Sequence, residues 1–229
     1  MDAPYSDEMA QTKLARPQAQ DGAPGWRLLL GRLMLSVRFS DFASALRFVD
    51  AVGAIAEEQD HHPEVDLRWG RVVLAVASHD VGGLTERDLR FAEAVADIVE
   101  EYAGTVEHPL LTELEIAIDT MDAERIKPFW EAVLGFDDDG PDAVVDPHRR
   151  LPAVWFQQLD EPREIRNRIH LDVTVAHDAA LDRIAAALAA GGRLVSDERA
   201  PAYWILADAD GNEACICTWQ NREPQSGEG

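Results

Sequence analysis

Two stretches of this chain repeat one pattern, and that repetition restricts the fold of the second half more than any other feature. Glu115-Ile-Ala-Ile reads as a strand, followed by a helix expected over Asp122–Leu134 and by Gly135-Phe136. His170-Leu-Asp-Val-Thr-Val reads as a second strand 55 residues later, followed by a helix expected over Ala179–Ala190 and by Gly191-Gly192. Further strands are expected over 153–159 in the first copy, and over 203–206 and 214–219 in the second. Recurrence at one spacing marks a duplicated supersecondary unit. Two βαβββ units in tandem are therefore the predicted content of residues 112–220, with 221–229 as a polar tail.

The first half changes its apolar period. Leu33, Leu35, Val37 and Phe39 alternate with Met34, Ser36 and Arg38, a strand with one apolar face. Trp26–Leu30 reads as its partner, turning at Gly31. Phe42, Leu46, Val49, Val52 and Ile55 then fall at helical spacing, which predicts an amphipathic helix to about Gln59 with Ser40 as its N-cap. Pro63 forbids its continuation. Leu67–Trp69 and Arg71–Ser78 read as two more strands, the second apolar enough to be central. Thr85 caps a last helix to about Tyr102, with Leu89, Ala92, Val95, Val99 and Tyr102 on one stripe. The predicted class is α+β: an antiparallel four-stranded sheet with helices on one face (a ββαββα core) over residues 24–103, then the paired βαβββ units. Residues 1–23 read as a flexible lead-in, with a short helix over Ser6–Leu14 that Ser6 would cap. Residues 104–111, with Gly104 and Pro109, read as a linker.

Composition narrows the function. The 229 residues are 46% hydrophobic, enough for a sizeable core in one large or two modest domains. Lys+Arg 21 against Asp+Glu 43 leaves a net charge of −22. Such a surface repels phosphate, which argues against nonspecific nucleic-acid binding and against an anionic membrane. The apolar runs are far short of a membrane span. Met1–Gly25 is polar and has no apolar h-region, so no secretory signal is expected. The two cysteines, Cys215 and Cys217, stand two residues apart, where a bridge would be strained. A reducing cytoplasm is the expected location.

The candidate site lies in the first half. His61-His62-Pro63 ends the long helix, Trp69 and His79 follow, and Asp88 falls in the first turn of the next helix. All are near element termini, where active sites assemble. Histidine can both give and take a proton near neutral pH. Plainer readings exist beside this one. His-His-Pro is also a helix stop, and Asp88 stands three residues after Thr85, a capping-box position. Three histidines could hold zinc, but the usual Cys/His spacings are absent.

The pattern His-His-Pro, an aromatic, His and Asp at these intervals resembles the pterin carbinolamine dehydratases. Pro24-Gly25-Trp26, Phe39-x-x-Phe42-x-x-Ala45 and Ser78-His79-Asp80-x-Gly82-Gly83-Leu84-Thr85-x-x-Asp88 carry the same resemblance, over about residues 24–102. Ser78 stands where the family more usually has Thr. The resemblance implies dehydration of 4a-hydroxytetrahydrobiopterin to quinonoid dihydrobiopterin, in regeneration of tetrahydrobiopterin. It implies His61 and His79 as an acid/base pair, His62 as a substrate-binding histidine and Asp88 as an orienting carboxylate. The loops His61–Pro63 and Ser78–Val81, including Asp80, would cradle the pterin, with Trp69 as a further contact. No metal or organic cofactor is implied, and assembly is expected as a homodimer or homotetramer.

The second half resembles the glyoxalase-like branch of the vicinal oxygen chelate superfamily. Pro128-Phe129-Trp130-x-x-x-Leu134-Gly135-Phe136, Arg168-Ile169-His170-Leu171-Asp172-Val173 and Asp208-x-Asp210-Gly211-Asn212-Glu213 carry it. The resemblance implies a divalent metal held by Glu115 and His170, with Cys215 where a Glu is common and Gln157 or Gln158 as a fourth ligand. Cys215 breaks a hard-metal set. Asp208–Asn212 lacks the spacing of a calcium loop and reads as a hairpin turn. Asp137–Asp139 reads as a solvated loop, and Trp130, Trp155, Phe156 and Trp204 as either core or the lining of a ligand cup. Two alternatives to the dehydratase stand: a dehydratase-like dimerisation or binding module, and a metal-dependent lyase or dioxygenase-like enzyme centred on the second half.

Overall fold

The computed structural model describes residues 12–108, 111–162 and 169–221. The chain divides into two units between Glu113 and Leu114.

The first unit contains α1 (Arg16–Gly22), β1 (Arg27–Leu29), β2 (Arg32–Arg38), α2 (Phe42–Gln59), β3 (Glu64–Arg68), β4 (Arg71–Val76), α3 (Glu86–Glu101) and β5 (Thr105–Val106). The sheet order is β1-β2-β4-β3, antiparallel throughout. A fifth strand, β5, joins β2 beside Val37 and Arg38. It lies in the stretch expected to be a linker. The helix α2 buries Ala45, Phe48, Val52 and Ala56, and α3 buries Phe91, Ala92, Val95 and Val99. These side chains meet Leu33, Leu35, Val37, Val72, Leu74 and Val76 of the two central strands in one core. Asp41, not Ser40, caps α2: its carboxylate accepts the Ser44 N–H at 2.8 Å, while the Ser40 hydroxyl donates to Asp41.

The lead-in is more structured than its composition suggests. Arg16–Gly22 forms α1, with Pro17 in its first turn, where the missing N–H costs nothing. Ala19 and Ala23 enter the core beside Trp26, whose indole N–H donates to Ala92 O. The helix expected over Ser6–Leu14 lies mostly outside the described residues, and Thr12–Leu14 is not helical.

The second unit contains β6 (Glu115–Thr120), α4 (Ala123–Leu134), β7 (Asp137–Asp138), β8 (Ala143–Val145), β9 (Ala153–Gln158), β10 (Leu171–Thr174), α5 (Ala180–Ala189), β11 (Arg193–Ser196), β12 (Tyr203–Ala207) and β13 (Glu213–Cys217). The sheets run β6-β9-β8-β7 and β10-β13-β12-β11. In each, the first strand pairs parallel with the last and the other pairs are antiparallel. Identical topology in the two copies is the expected duplication. Asp137 and Asp138, expected in a loop, form β7 against Val145 and Val144.

Both copies feed one core, in which Ile126, Phe129, Trp130 and Val133 of α4 meet Ile184 and Ala187 of α5. The turn Asp208–Asn212 fastens the copies together. Asp208 accepts the Trp130 indole N–H at 3.0 Å. Asp210 accepts the Thr120 hydroxyl at 2.6 Å and the Met121 N–H at 3.2 Å, and pairs with Arg125. No described helix is long and apolar enough to cross a membrane.

Candidate active site

Helix α2 ends by turning through Asp60, which adopts the left-handed conformation (φ 47°), and the His61 N–H donates to Ala56 O. This reversal points His61 back into the unit, where it is buried and stacks edge-on to Phe91. Its Nε2 lies 2.8 Å from Asp88 Oδ1. Asp88 is fully buried. Its other oxygen, Oδ2, accepts the Thr85 N–H at 2.7 Å and the Ser78 hydroxyl at 2.8 Å, with the Thr85 hydroxyl at 3.3 Å. One carboxylate thus caps α3 and holds a histidine. The capping box expected of Asp88 is present and uses Oδ2, which leaves Oδ1 for His61.

Burial disfavours the Asp88 carboxylate, but hydrogen bonds from His61, the Thr85 N–H and Ser78 outweigh it and hold its carboxyl below the usual value. An ionised Asp88 only accepts, so the proton between the two groups sits on His61 Nε2. That leaves His61 Nδ1 as the ring nitrogen able to exchange a proton.

The strand register brings the other histidines to the same end of the sheet. Glu64 pairs with Ala75 and Arg68 with Arg71, so residues before β3 and after β4 leave the sheet together. His62 and His79 are both exposed, and His62 Nε2 lies 3.3 Å from Glu57. Pro63 is half-buried beside them. Ser78–Gly83 closes as a tight turn through paired backbone bonds between Ser78 and Gly83, and Gly82 takes the left-handed conformation (φ 64°) that this turn needs. The Val81 N–H bonds Ser78 O within it, and Asp80 pairs with Arg87 at 2.6 Å. Lys13 Nζ reaches Gly82 O at 2.7 Å, so the lead-in straps the turn.

Trp69 is not at this end. It occupies the β3–β4 hairpin turn, 88% exposed. The length of β3, about 17 Å at about 3.3 Å per residue, separates it from His61–Pro63. A ligand cradled by His61–Pro63 and Ser78–Val81 does not touch the Trp69 of the same chain.

The second unit holds another group of donors. His170, Asp172 and Cys215 each offer one ligand atom, all within 4.8 Å of one another. His170 Nε2 lies 3.3 Å from Asp172 Oδ1. Burial, followed by the Asp172 carboxylate, pushes the Cys215 thiol up to about 12. Among the described residues this grouping does not include Glu115, so the ligand set implied by resemblance is not assembled. Asp172, which the sequence analysis did not single out as a donor, belongs to the grouping. Its signal was present, because His170 and Asp172 alternate onto one strand face. Trp130 and Phe156 are core, while Trp155 and Trp204 keep some exposure.

A family model described as Pterin 4 alpha carbinolamine dehydratase matches residues 3–98, and one described as Glyoxalase-like domain matches residues 115–217. A protein of Mycolicibacterium smegmatis with the provisional name pterin-4-alpha-carbinolamine dehydratase is 41% identical over 78 residues, 34% of this chain and 83% of that protein. One of the same provisional name from Acidobacterium capsulatum is 43% identical over 88 residues, 38% of this chain and 96% of its own. A solved glyoxalase-related enzyme from Fulvimarina pelagi is 20% identical, covers 47% of this chain and 88% of its own, and has a TM-score of 0.37.

Proposed function

Because the chain belongs to the pterin 4 alpha carbinolamine dehydratase family through its first unit, we propose that this unit is a hydro-lyase acting on 4a-hydroxytetrahydrobiopterin. The product is quinonoid dihydrobiopterin plus water. A proton from one imidazole passes to the 4a-hydroxyl, the C4a–O bond breaks and its electron pair leaves with water. The second imidazole takes the N5 proton as the N5–C4a double bond forms. His61 and His79 share these two roles, and one proton exchange with solvent resets them. His62, Pro63 and the turn Ser78–Val81 bind the pterin. Asp88 is a positioning residue that holds His61 in one tautomer and stabilises its imidazolium, as carboxylates do for catalytic histidines.

The observation that carries this reading is the buried His61–Asp88 pair, fastened in turn by Ser78 and Thr85. A fold used only for association needs no such arrangement. A cytoplasmic location and assembly into homo-oligomers belong to the same reading. The test is a stopped-flow assay of 4a-hydroxytetrahydropterin decay, with wild type beside His79→Ala. Acceleration over the spontaneous reaction, lost in the variant, is expected. A folded wild type that gives no acceleration would refute it.

A further inference from the structure

We propose that Lys13 is a positioning residue for His79: its side chain lies across Gly83 and its ammonium holds the Gly82 carbonyl, which fixes the turn Ser78–Gly83 before the pterin arrives. The inference rests on the dehydratase reading and adds to it a residue from outside the stretch 24–102 that carries the resemblance. The turn needs an outside hold. Ser78 is fixed from its own side, its hydroxyl donating to Asp88 at 2.8 Å. His79 lies one residue further, exposed, and its carbonyl accepts the Gly82 N–H. Its placement therefore depends on Gly82 and Gly83, the residues of the turn with the most backbone freedom. The bonds Val81 N–H to Ser78 O, Gly82 N–H to His79 O and Gly83 N–H to Ser78 O span 3.2, 3.2 and 3.3 Å, the long end of the hydrogen-bond range.

Lys13 supplies that hold with a short, charge-assisted bond. Its Nζ donates to Gly82 O at 2.7 Å. The backbone that carries the lysine is itself tied down: the Leu14 N–H donates to Leu84 O at 2.7 Å, and the Leu14 side chain packs against the core of the first unit. The lysine thus reaches the turn from an anchored chain, and the residue just past the turn is anchored by the same segment.

Gly83 is the second observation. Gly82 takes the left-handed conformation, but Gly83 does not, so its backbone would accept any residue. The space around it would not. A Cβ at position 83 would fall 2.9 Å from Lys13 Cδ and 3.0 Å from Cγ, and closer still to Cε. The missing side chain is the channel in which the lysine stem lies. The last glycine of the turn is matched to Lys13, and filling it would push the ammonium off the Gly82 carbonyl.

The test is the stopped-flow assay of 4a-hydroxytetrahydropterin decay on the full chain, with Lys13→Met, which removes the ammonium and keeps a stem, and Gly83→Ala, which fills the channel. A pterin bound between the two loops re-forms the turn, so the lost restraint appears in binding. KM should rise about three- to tenfold in each variant, with kcat within about twofold of wild type. The double variant should be no worse than Gly83→Ala, where the lysine is already displaced, and Lys13→Arg should recover most of the loss. Amide exchange over residues 78–84 should quicken in Lys13→Met, with circular dichroism reporting the fold throughout. An unmoved KM in Lys13→Met beside an active wild type would overturn the role of Lys13 and leave the dehydratase reading standing. Additive losses in the double variant would overturn it in favour of two independent effects. A wild type that gives no acceleration would overturn the dehydratase reading itself, and this role with it.

Discussion

Replacing Asp88 by Asn tests the link between fold and chemistry most sharply. The amide is the same size, and its oxygen can keep the Thr85 N–H and the Ser78 hydroxyl, so α3 stays capped. Its NH2 then falls where Oδ1 stood, 2.8 Å from His61 Nε2. Two donors cannot face each other, so Nε2 must accept and the ring proton moves to Nδ1. The nitrogen that should take a proton is blocked, and the imidazolium loses its counter-charge. General acid–base catalysis contributes about 10²–10⁴ in rate, so kcat should fall by about that range, with KM changed less than about threefold. That loss corresponds to about 2.7–5.4 kcal/mol of barrier. Stability should fall by about 1–2 kcal/mol, for exchanging charge-assisted bonds at a buried site.

The pH dependence of that stability loss has a defined sign. The folded Asp88 carboxyl is held below its unfolded value of 3.8, so its contribution is full above that value and is lost as pH falls through the folded one. The part of the stability gap that comes from this carboxylate should therefore be full above about pH 4 and close as pH falls below it. Stopped-flow pH–rate profiles and thermal melts read these effects. An Asp88→Asn protein with kcat within about threefold of wild type and an unshifted pH–rate profile would refute the positioning role.

Three further outcomes follow from other parts of the molecule. Gly104→Ala would put a Cβ 2.6 Å from Val37 Cγ1 and 3.1 Å from Val99 O, so it should destabilise the first unit by about 1–3 kcal/mol in a denaturant titration; no change would mean that the core there yields freely. Asp210→Ala strips acceptors from Thr120 and Met121 and a partner from Arg125, and should cost the second unit about 2 kcal/mol while leaving pterin turnover untouched. Trp69→Ala should leave KM for the pterin within about threefold, because Trp69 sits at the far end of β3; a larger rise would show that the Trp69 of another copy reaches the site.

The sequence carried most of this architecture because its signals were periodic or spaced. The alternation through Leu33–Phe39 and the helical stripe from Phe42 placed β2 and α2, and the recurrence of Glu115 and His170 strands exposed the duplication. The residues that meet at His61 were legible because each stands next to an element terminus. What escaped was short or tertiary. β7, β8 and β11 run for two to four residues, too few for alternation to register. The helix α1 gains its place from Ala19 and Ala23 buried beside Trp26, a contact no local pattern announces. Trp69 was expected at the site because its spacing after Pro63 fits the resembled pattern, and a hairpin carries it along the strand to the other end of β3. Asp172 was passed over because the resemblance looked to Glu115, not to the next residue on the same strand face.

The turn at Asp208–Asn212 also sets an order of completion during synthesis. The first unit has every strand in hand once Glu113 has been made. The next copy does not: Trp130 waits 78 residues for the acceptor on Asp208, and Thr120 waits 90 for Asp210. At about 5–20 residues per second, the apolar face of α4 stands without its clasp for roughly 4–18 s while the first unit is already closed.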